Sequence, residues 1–280
     1  MVRWWRKRKL GEKTAILGVV VATAGSVVIP IYFGVREERR ASYTTPVTPT
    51  TVTTVSSASP ISYVVEDNPA KISSFNDFGQ ELMIPKETQI VGGPGRSCTN
   101  FHPWGTKLGG VPAERTYLRL VVQGRTPSAM LIAGMRAKVV ERRRPLVGTQ
   151  LTCPSAGDAE IRSMDIDLDG ASTEAEYRTS KGIEPFGFTL AKDETEVFDI
   201  RAVTKKCYCK WFLELDLVVD GKKSVQTISD NGRPFETTMR SDSLRYEWNY
   251  TDTWYLTGDP RSDDFIYEPQ PRGEPLEPLS

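Results

Sequence analysis

From Thr14 to Phe33 twenty residues pass without a charge, whereas beyond residue 60 apolar side chains recur at every second position. The first pattern predicts one membrane-length helix, because twenty residues at ~1.5 Å each reach ~30 Å, the hydrocarbon thickness of a bilayer. The second predicts half-buried β-strands. In KKCYCKWFLELDLVVDG, residues Cys207, Cys209, Trp211, Leu213, Leu215 and Leu217 share a face opposite Lys210, Glu214 and Asp216; around RYEWNYT (245–251), Leu244, Tyr246, Trp248 and Tyr250 do the same. Further strands are expected at ETQIV (87–91), TYLRLVVQ (116–123), FGFTL (186–190) and TEVFDIRAV (195–203). Residues 128–143 fit a strand better than a helix, with Leu131, Ala133, Met135, Ala137 and Val139 on one face and Gly134 disfavouring helix. Asp220-Gly221 and Asp230-Asn231-Gly232 punctuate SVQTI and PFETT, so residues 207–239 read as a meander of hairpins. The expected class is mainly β, a two-sheet immunoglobulin-like sandwich preceded by one transmembrane helix and a disordered stalk.

Charge sets the orientation of the helix at residues 14–34. The preceding MVRWWRKRKLGEK carries six basic residues and one acid, and VREERR after it carries three basic and two acidic ones. The basic excess predicts a cytoplasmic N-terminus and an exported C-terminal part, with Trp4, Trp5 and Tyr32 at the interfaces. A cleaved signal peptide ending at Ala22-Thr23-Ala24 is the rival reading; the apolar run continues past that site, which favours an anchor. Gly18, Ala22 and Ser26 fall four apart, a spacing compatible with a homodimer face in the membrane.

The formal charge of the whole chain is zero and residues 1–13 hold net +5, so the remainder holds net −5. Such a remainder offers no basic face for nucleic acid. Residues 35–60 form the stalk, and the Thr/Ser/Pro-rich part from residue 41 extends roughly 60 Å at ~3.1 Å per residue. Residues 259–280, with five Pro and six acids, are expected to be mobile, which leaves residues 61–258 for one globular domain. All four cysteines lie there, and an even count in an exported domain reads as two disulfides. In an extended strand Cys207 and Cys209 would lie ~6.5–7 Å apart at Cα, at the limit for a bridge. They are therefore expected to reach separate partners, by 98–207 with 153–209 or by 98–209 with 153–207.

One motif suggests metal chemistry. Asp165, Asp167, Asp169, Gly170 and Glu176 match the D-x-D-x-D-G-x₅-E spacing of a calcium loop, in which carboxylates at positions 1, 3, 5 and 12 surround the ion. Against it, Ser172 stands where an apolar residue is needed, and Cys153, Pro154, Gly182 and Pro185 leave little room for flanking helices. Met164, Ile166 and Leu168 alternate with the acids, so a half-buried strand ending at an Asp-Gly turn is the favoured reading. His102 is the sole histidine, in TNFHPWG, so neither a zinc triad nor a Ser-His-Asp or Cys-His site can be built; it is expected in a packed loop. Gly92-Gly93-Pro94-Gly95 lacks the order of a phosphate loop and reads as a turn, and Asn249-Tyr250-Thr251 is a sequon in mid-strand. No cofactor is expected.

Three stretches, VVERRRPLVGTQLTCPSAG (139–157), DIDLDG (165–170) and CKWFLELDLVVDGKKSVQTISDNGRPFETT (209–238), together with the anchor, resemble a group of uncharacterised actinobacterial single-pass membrane proteins with an exported β-domain. The resemblance implies location and fold, and no activity. The expected function is a membrane-anchored extracytoplasmic binding or assembly module for an envelope or extracellular protein or glycan, and not an enzyme. The alternatives are a sensor subunit acting through a partner membrane protein, which the short cytoplasmic tail disfavours, and a carboxylate-based hydrolase, for which no acid pair stands out.

Overall fold

The computed structural model describes residues 59–72, 79–154, 163–249, 252–262 and 266–277, and seventeen strands lie among the described residues. The expected span at 14–34, the stalk up to residue 58, the Gly18, Ala22 and Ser26 face and Tyr250–Thr251 of the sequon lie outside the described residues. No helix among the described residues is long and apolar enough to cross a membrane. In chain order the elements are β1 (Ile61–Glu66), β2 (Gln80–Pro85), α1 (Phe101–Lys107), β3 (Val111–Pro112), β4 (Arg115–Gly124), β5 (Met130–Arg143), β6 (Gly148–Cys153), β7 (Ser163–Asp167) and β8 (Glu176–Thr179). There follow β9 (Gly182–Glu184), β10 (Phe188–Leu190), β11 (Thr195–Val203), β12 (Tyr208–Val219), β13 (Lys222–Ile228), β14 (Phe235–Thr238), β15 (Arg245–Asn249), β16 (Thr253–Gly258) and β17 (Glu268–Pro269).

The alternation in β12 is obeyed: Cys207, Cys209, Trp211, Leu213, Leu215 and Leu217 are all buried. They face a core shared by two sheets in a sandwich-like arrangement. One sheet has the order β1-β4-β11-β7-β8-β9 and supplies Leu118, Leu120, Val122, Phe198 and Ile200; the other, β10-β5-β12-β13 with β14 also on β12, supplies Met130, Ile132 and the β12 row. A third sheet, β17-β16-β15-β6-β2-β3, packs with α1 around its own core of Leu82, Ile84, Phe101, Leu151, Tyr246, Trp248 and Trp254. The expected count of two sheets is thus too low. Both parallel pairs, β11 with β7 and β15 with β6, join strands distant in sequence, so no local pattern announces them.

Several local expectations are corrected. In β5, Ala133 faces no partner on β12, since Ile132 pairs with Leu217 and Gly134 with Asp216. This bulge inverts the phase of the strand, so Leu131 is exposed while Met130, Ile132, Met135 and Ala137 are buried. The 207–239 meander is shortened too: β14 rejoins the same edge of β12 that β13 occupies, and Asp230–Arg233 is a protruding turn between them. ETQIV is not a strand; Ile90 is buried by packing, and its carbonyl accepts from the Leu276 N–H. FHPWG of TNFHPWG lies in α1 rather than a loop, after a 3-10 turn at Cys98–Asn100, and is anchored by the fully buried Phe101, with Gly105 lying where a Cβ would strike Leu82. Residues 266–277 are not free chain: β17 pairs with β16, Tyr267 stacks on Tyr255 at 4.5 Å, and Leu276 enters the third sheet's core.

All four cysteines form disulfides, but in the pairing that was not expected: Cys98–Cys153 and Cys207–Cys209. The extended-strand distance does not apply, because Cys207 lies before β12 begins, where its N–H is turned back to Thr204 Oγ1. The Cα atoms of Cys207 and Cys209 are 5.6 Å apart, inside the range a bridge needs.

Candidate functional site

β2, α1 and β4 converge on a cavity of about 130 Å³. β2 supplies Gln80, Glu81 and Leu82, α1 supplies His102, and β4 supplies Arg115, Thr116 and Tyr117. Thr116, Tyr117 and Leu118 are buried in succession and break the alternation of β4: Leu118 joins the sandwich core, while Thr116 and Tyr117 line this cavity. Asp67, just beyond β1, closes one side.

The polar groups here are held in place. Gln80 is buried, and its amide nitrogen donates to the Cys98 carbonyl at 3.1 Å, which fixes the orientation of the amide. Its Oε1 meets no donor among the described residues, an arrangement that costs about 1–3 kcal/mol for a buried acceptor. His102 is 7 % exposed, and burial holds its imidazole below the ordinary value although Asp67 and Glu66 pull the other way. It is therefore neutral at pH 7. Burial raises the Tyr117 phenol, against its hydrogen bond with Arg115. Burial lowers Arg115, but the Tyr117 hydrogen bond and the charges of Tyr117, Glu114 and Glu81 outweigh it, and the guanidinium stays above its ordinary value. Glu81 is committed elsewhere, to Arg240 and to the Gln150 amide.

With a buried imidazole and the Asp67 carboxylate in its wall, this arrangement can accept and donate hydrogen bonds. The cavity is smaller than a drug-sized pocket. It adjoins an open groove of about 480 Å³ that shares Asp67, His102, Pro112 and Thr116 and continues past Lys210, Arg233 and Phe235. A ligand seated here would insert one small group beside Gln80 and His102 and lay the rest along the groove. Behind the groove a directed chain of hydrogen bonds stiffens the wall. The Trp211 indole N–H donates to Thr237 Oγ1 at 3.1 Å, Thr237 can only pass its proton toward Thr116 Oγ1 at 2.6 Å, and Thr116 donates to the Glu236 carbonyl at 3.0 Å.

The calcium-like stretch lies elsewhere. β7 is the expected strand, and the residues after it leave its sheet. They cross to the facing sheet, where Thr173 and Ala175 bond the backbone of β5 at Ala137 and Met135, and return as β8. Asp165 is paired with Arg201 and Arg178, and Asp167 accepts from the Asp169 N–H. Asp169 accepts from Thr204 Oγ1 and the Lys205 N–H, and Glu176, opposite Asp165 in the ladder, pairs with Arg178. The GGPG segment is clamped on indoles: Trp254 donates to the Gly92 carbonyl at 2.7 Å and Trp248 to that of Gly95 at 2.8 Å.

Sequence reasoning found His102 but not its company. Gln80, Arg115 and Tyr117 sit in ordinary strand-like stretches, and no local signal in the sequence brings them together. No protein-family model matches this chain, and its sequence matches no curated protein, so the geometry alone carries the functional reading.

Proposed function

We propose that the chain is a membrane-anchored extracytoplasmic binding module: the residues at 14–34 span the membrane with the N-terminus in the cytoplasm, and an immunoglobulin-like use of the sandwich presents the groove beside His102 to an envelope or extracellular protein or glycan. The carrying observation is the buried Gln80 amide, fixed by the hydrogen bond its nitrogen donates to the Cys98 carbonyl, in the wall of a cavity that shares Asp67, His102, Pro112 and Thr116 with a surface groove. A rigid unsatisfied acceptor at the end of a groove favours a ligand that brings a donor. Formation of both disulfides supports an oxidising compartment. The Gly18, Ala22 and Ser26 face would let two copies associate through their spans.

The test places a photocrosslinking residue at Thr106 or Arg233, on the groove, in the full-length protein in its own membrane, and identifies the adducts. A specific protein or glycan adduct, diminished when His102→Trp fills the cavity, is expected. Adducts identical to those from a probe at Lys223, on the far edge strand, would reject the groove as the binding surface.

A further inference from the structure

We propose that Cys207, Cys209 and Asp169 form a redox-gated site for a thiophilic divalent cation, zinc by its chemistry, which opens when the Cys207–Cys209 disulfide is reduced. One ligand atom from each of the three residues lies within 4.8 Å of the other two, and Cys207 and Cys209 are buried. Two thiolates and one carboxylate suit zinc, and a fourth position would be left to water.

The carboxylate is already oriented for the task. Thr204 Oγ1 donates to Asp169 Oδ1 at 2.7 Å and the Lys205 N–H to Oδ2, so one oxygen of Asp169 is anchored by each while further lone pairs remain. An approach path exists as well. Asp169 lines an open basin of about 640 Å³ that also holds Asp165, Asp167, Glu174 and Glu176, and its acidic residues outnumber its three cations, Arg178, Lys205 and Lys206. Such a basin concentrates cations at its wall. Asp169 of the aspartate-rich stretch and the closely spaced cysteines, distant in sequence, thus belong to one place in the fold.

The gate is thiol–disulfide exchange. A reductant of the dithiol class gives two electrons and two protons to the Cys207–Cys209 bond and becomes a disulfide itself, leaving two thiols. Zinc then replaces the two thiol protons, which pass to solvent. Because the bridged cysteines are only two residues apart, the loop they close is small, and opening it releases little chain entropy.

The experiment uses the full-length chain in detergent, reduced with a phosphine that does not bind metal, and titrated with Co²⁺ as the spectroscopic stand-in for zinc while near-ultraviolet circular dichroism follows the fold. Expected are a thiolate-to-cobalt charge-transfer band at one ion per chain, its bleaching by Zn²⁺, and no band in the oxidised protein. The band should persist in Cys98→Ser/Cys153→Ser, vanish in Cys207→Ser, and weaken at least tenfold in affinity in Asp169→Asn. Three results would overturn the proposal: no band in reduced protein, a band that survives Cys207→Ser, or loss of the native spectrum on reduction that zinc does not restore. Calcium binding equal in oxidised and reduced protein, with no cobalt band, would assign the basin to a hard cation and count equally against it.

Discussion

The two disulfides should differ sharply in what they contribute to stability. Cys98 and Cys153 are separated by 55 residues and Cys207 and Cys209 by 2. In the chain-entropy relation the first bridge removes about 4 kcal/mol of unfolded-state freedom and the second about 1.5 kcal/mol. The perturbation is a pair of double variants, Cys98→Ala/Cys153→Ala and Cys207→Ala/Cys209→Ala. The first deletes a buried sulfur at Cys153 and a half-buried one at Cys98, and the second deletes two buried ones. Packing loss therefore narrows the difference, while loop size by itself makes the first variant less stable than the second by about 2–3 kcal/mol. For a domain of this size that corresponds to roughly 4–12 °C in Tm. Denaturant unfolding of the full-length protein in detergent, followed by tryptophan fluorescence, measures the gap, and non-reducing peptide mapping checks the pairing. Equal losses, or a larger loss in the Cys207/Cys209 variant, would refute loop size as the governing term; a peptide joining Cys98 to Cys207 would refute the pairing itself.

Four further outcomes are expected. Thr237→Val leaves the Trp211 N–H and the Thr116 hydroxyl without their buried partner and should cost roughly 1–3 kcal/mol in chemical denaturation, more than the same change at the exposed Thr195. Gly93→Ala drives a Cβ into the Trp248 ring, and a loss of about 1–3 kcal/mol with altered near-ultraviolet dichroism is expected, whereas Gly92→Ala meets no neighbour but must adopt φ +73°. The folded state holds His102 below its ordinary value near 6.5, so the unfolded chain binds the extra proton first; stability contributed by the neutral imidazole is complete above about pH 6.5 and declines as pH falls toward the folded value. His102→Gln should flatten that part of the stability–pH curve, and an unchanged slope would place the acid sensitivity elsewhere. Finally, reporter fusions should place Ser280 outside the cytoplasm, and a cytoplasmic signal would overturn the orientation argument.

The alternation of side chains determined much by itself. A strand with one buried face must repeat every second residue, so β11 and β12, the inward row from Cys209 to Leu217, and the Asp220-Gly221 hairpin are written locally, down to the positive φ of both turn residues. The aspartates of β7 were readable as a strand for the same reason. What depends on partners distant in the chain was not readable. The bulge at Ala133 is a relation between β5 and β12, and the third sheet arises from the parallel pairing of β15 with β6. Leu276 is held because a core awaits it, against a composition that by itself favours loose chain. Cysteine spacing fixed that bridges form, but the backbone turn at Thr204 brought Cys207 within reach of Cys209, and that turn is stabilised by Asp169 from another strand connection. The cavity is the extreme case. Its polar groups come from three elements, each ordinary alone, and only the docking of β2, α1 and β4 buries Gln80 and His102 together, because removal from water is a property of neighbours in space and not of neighbours in sequence.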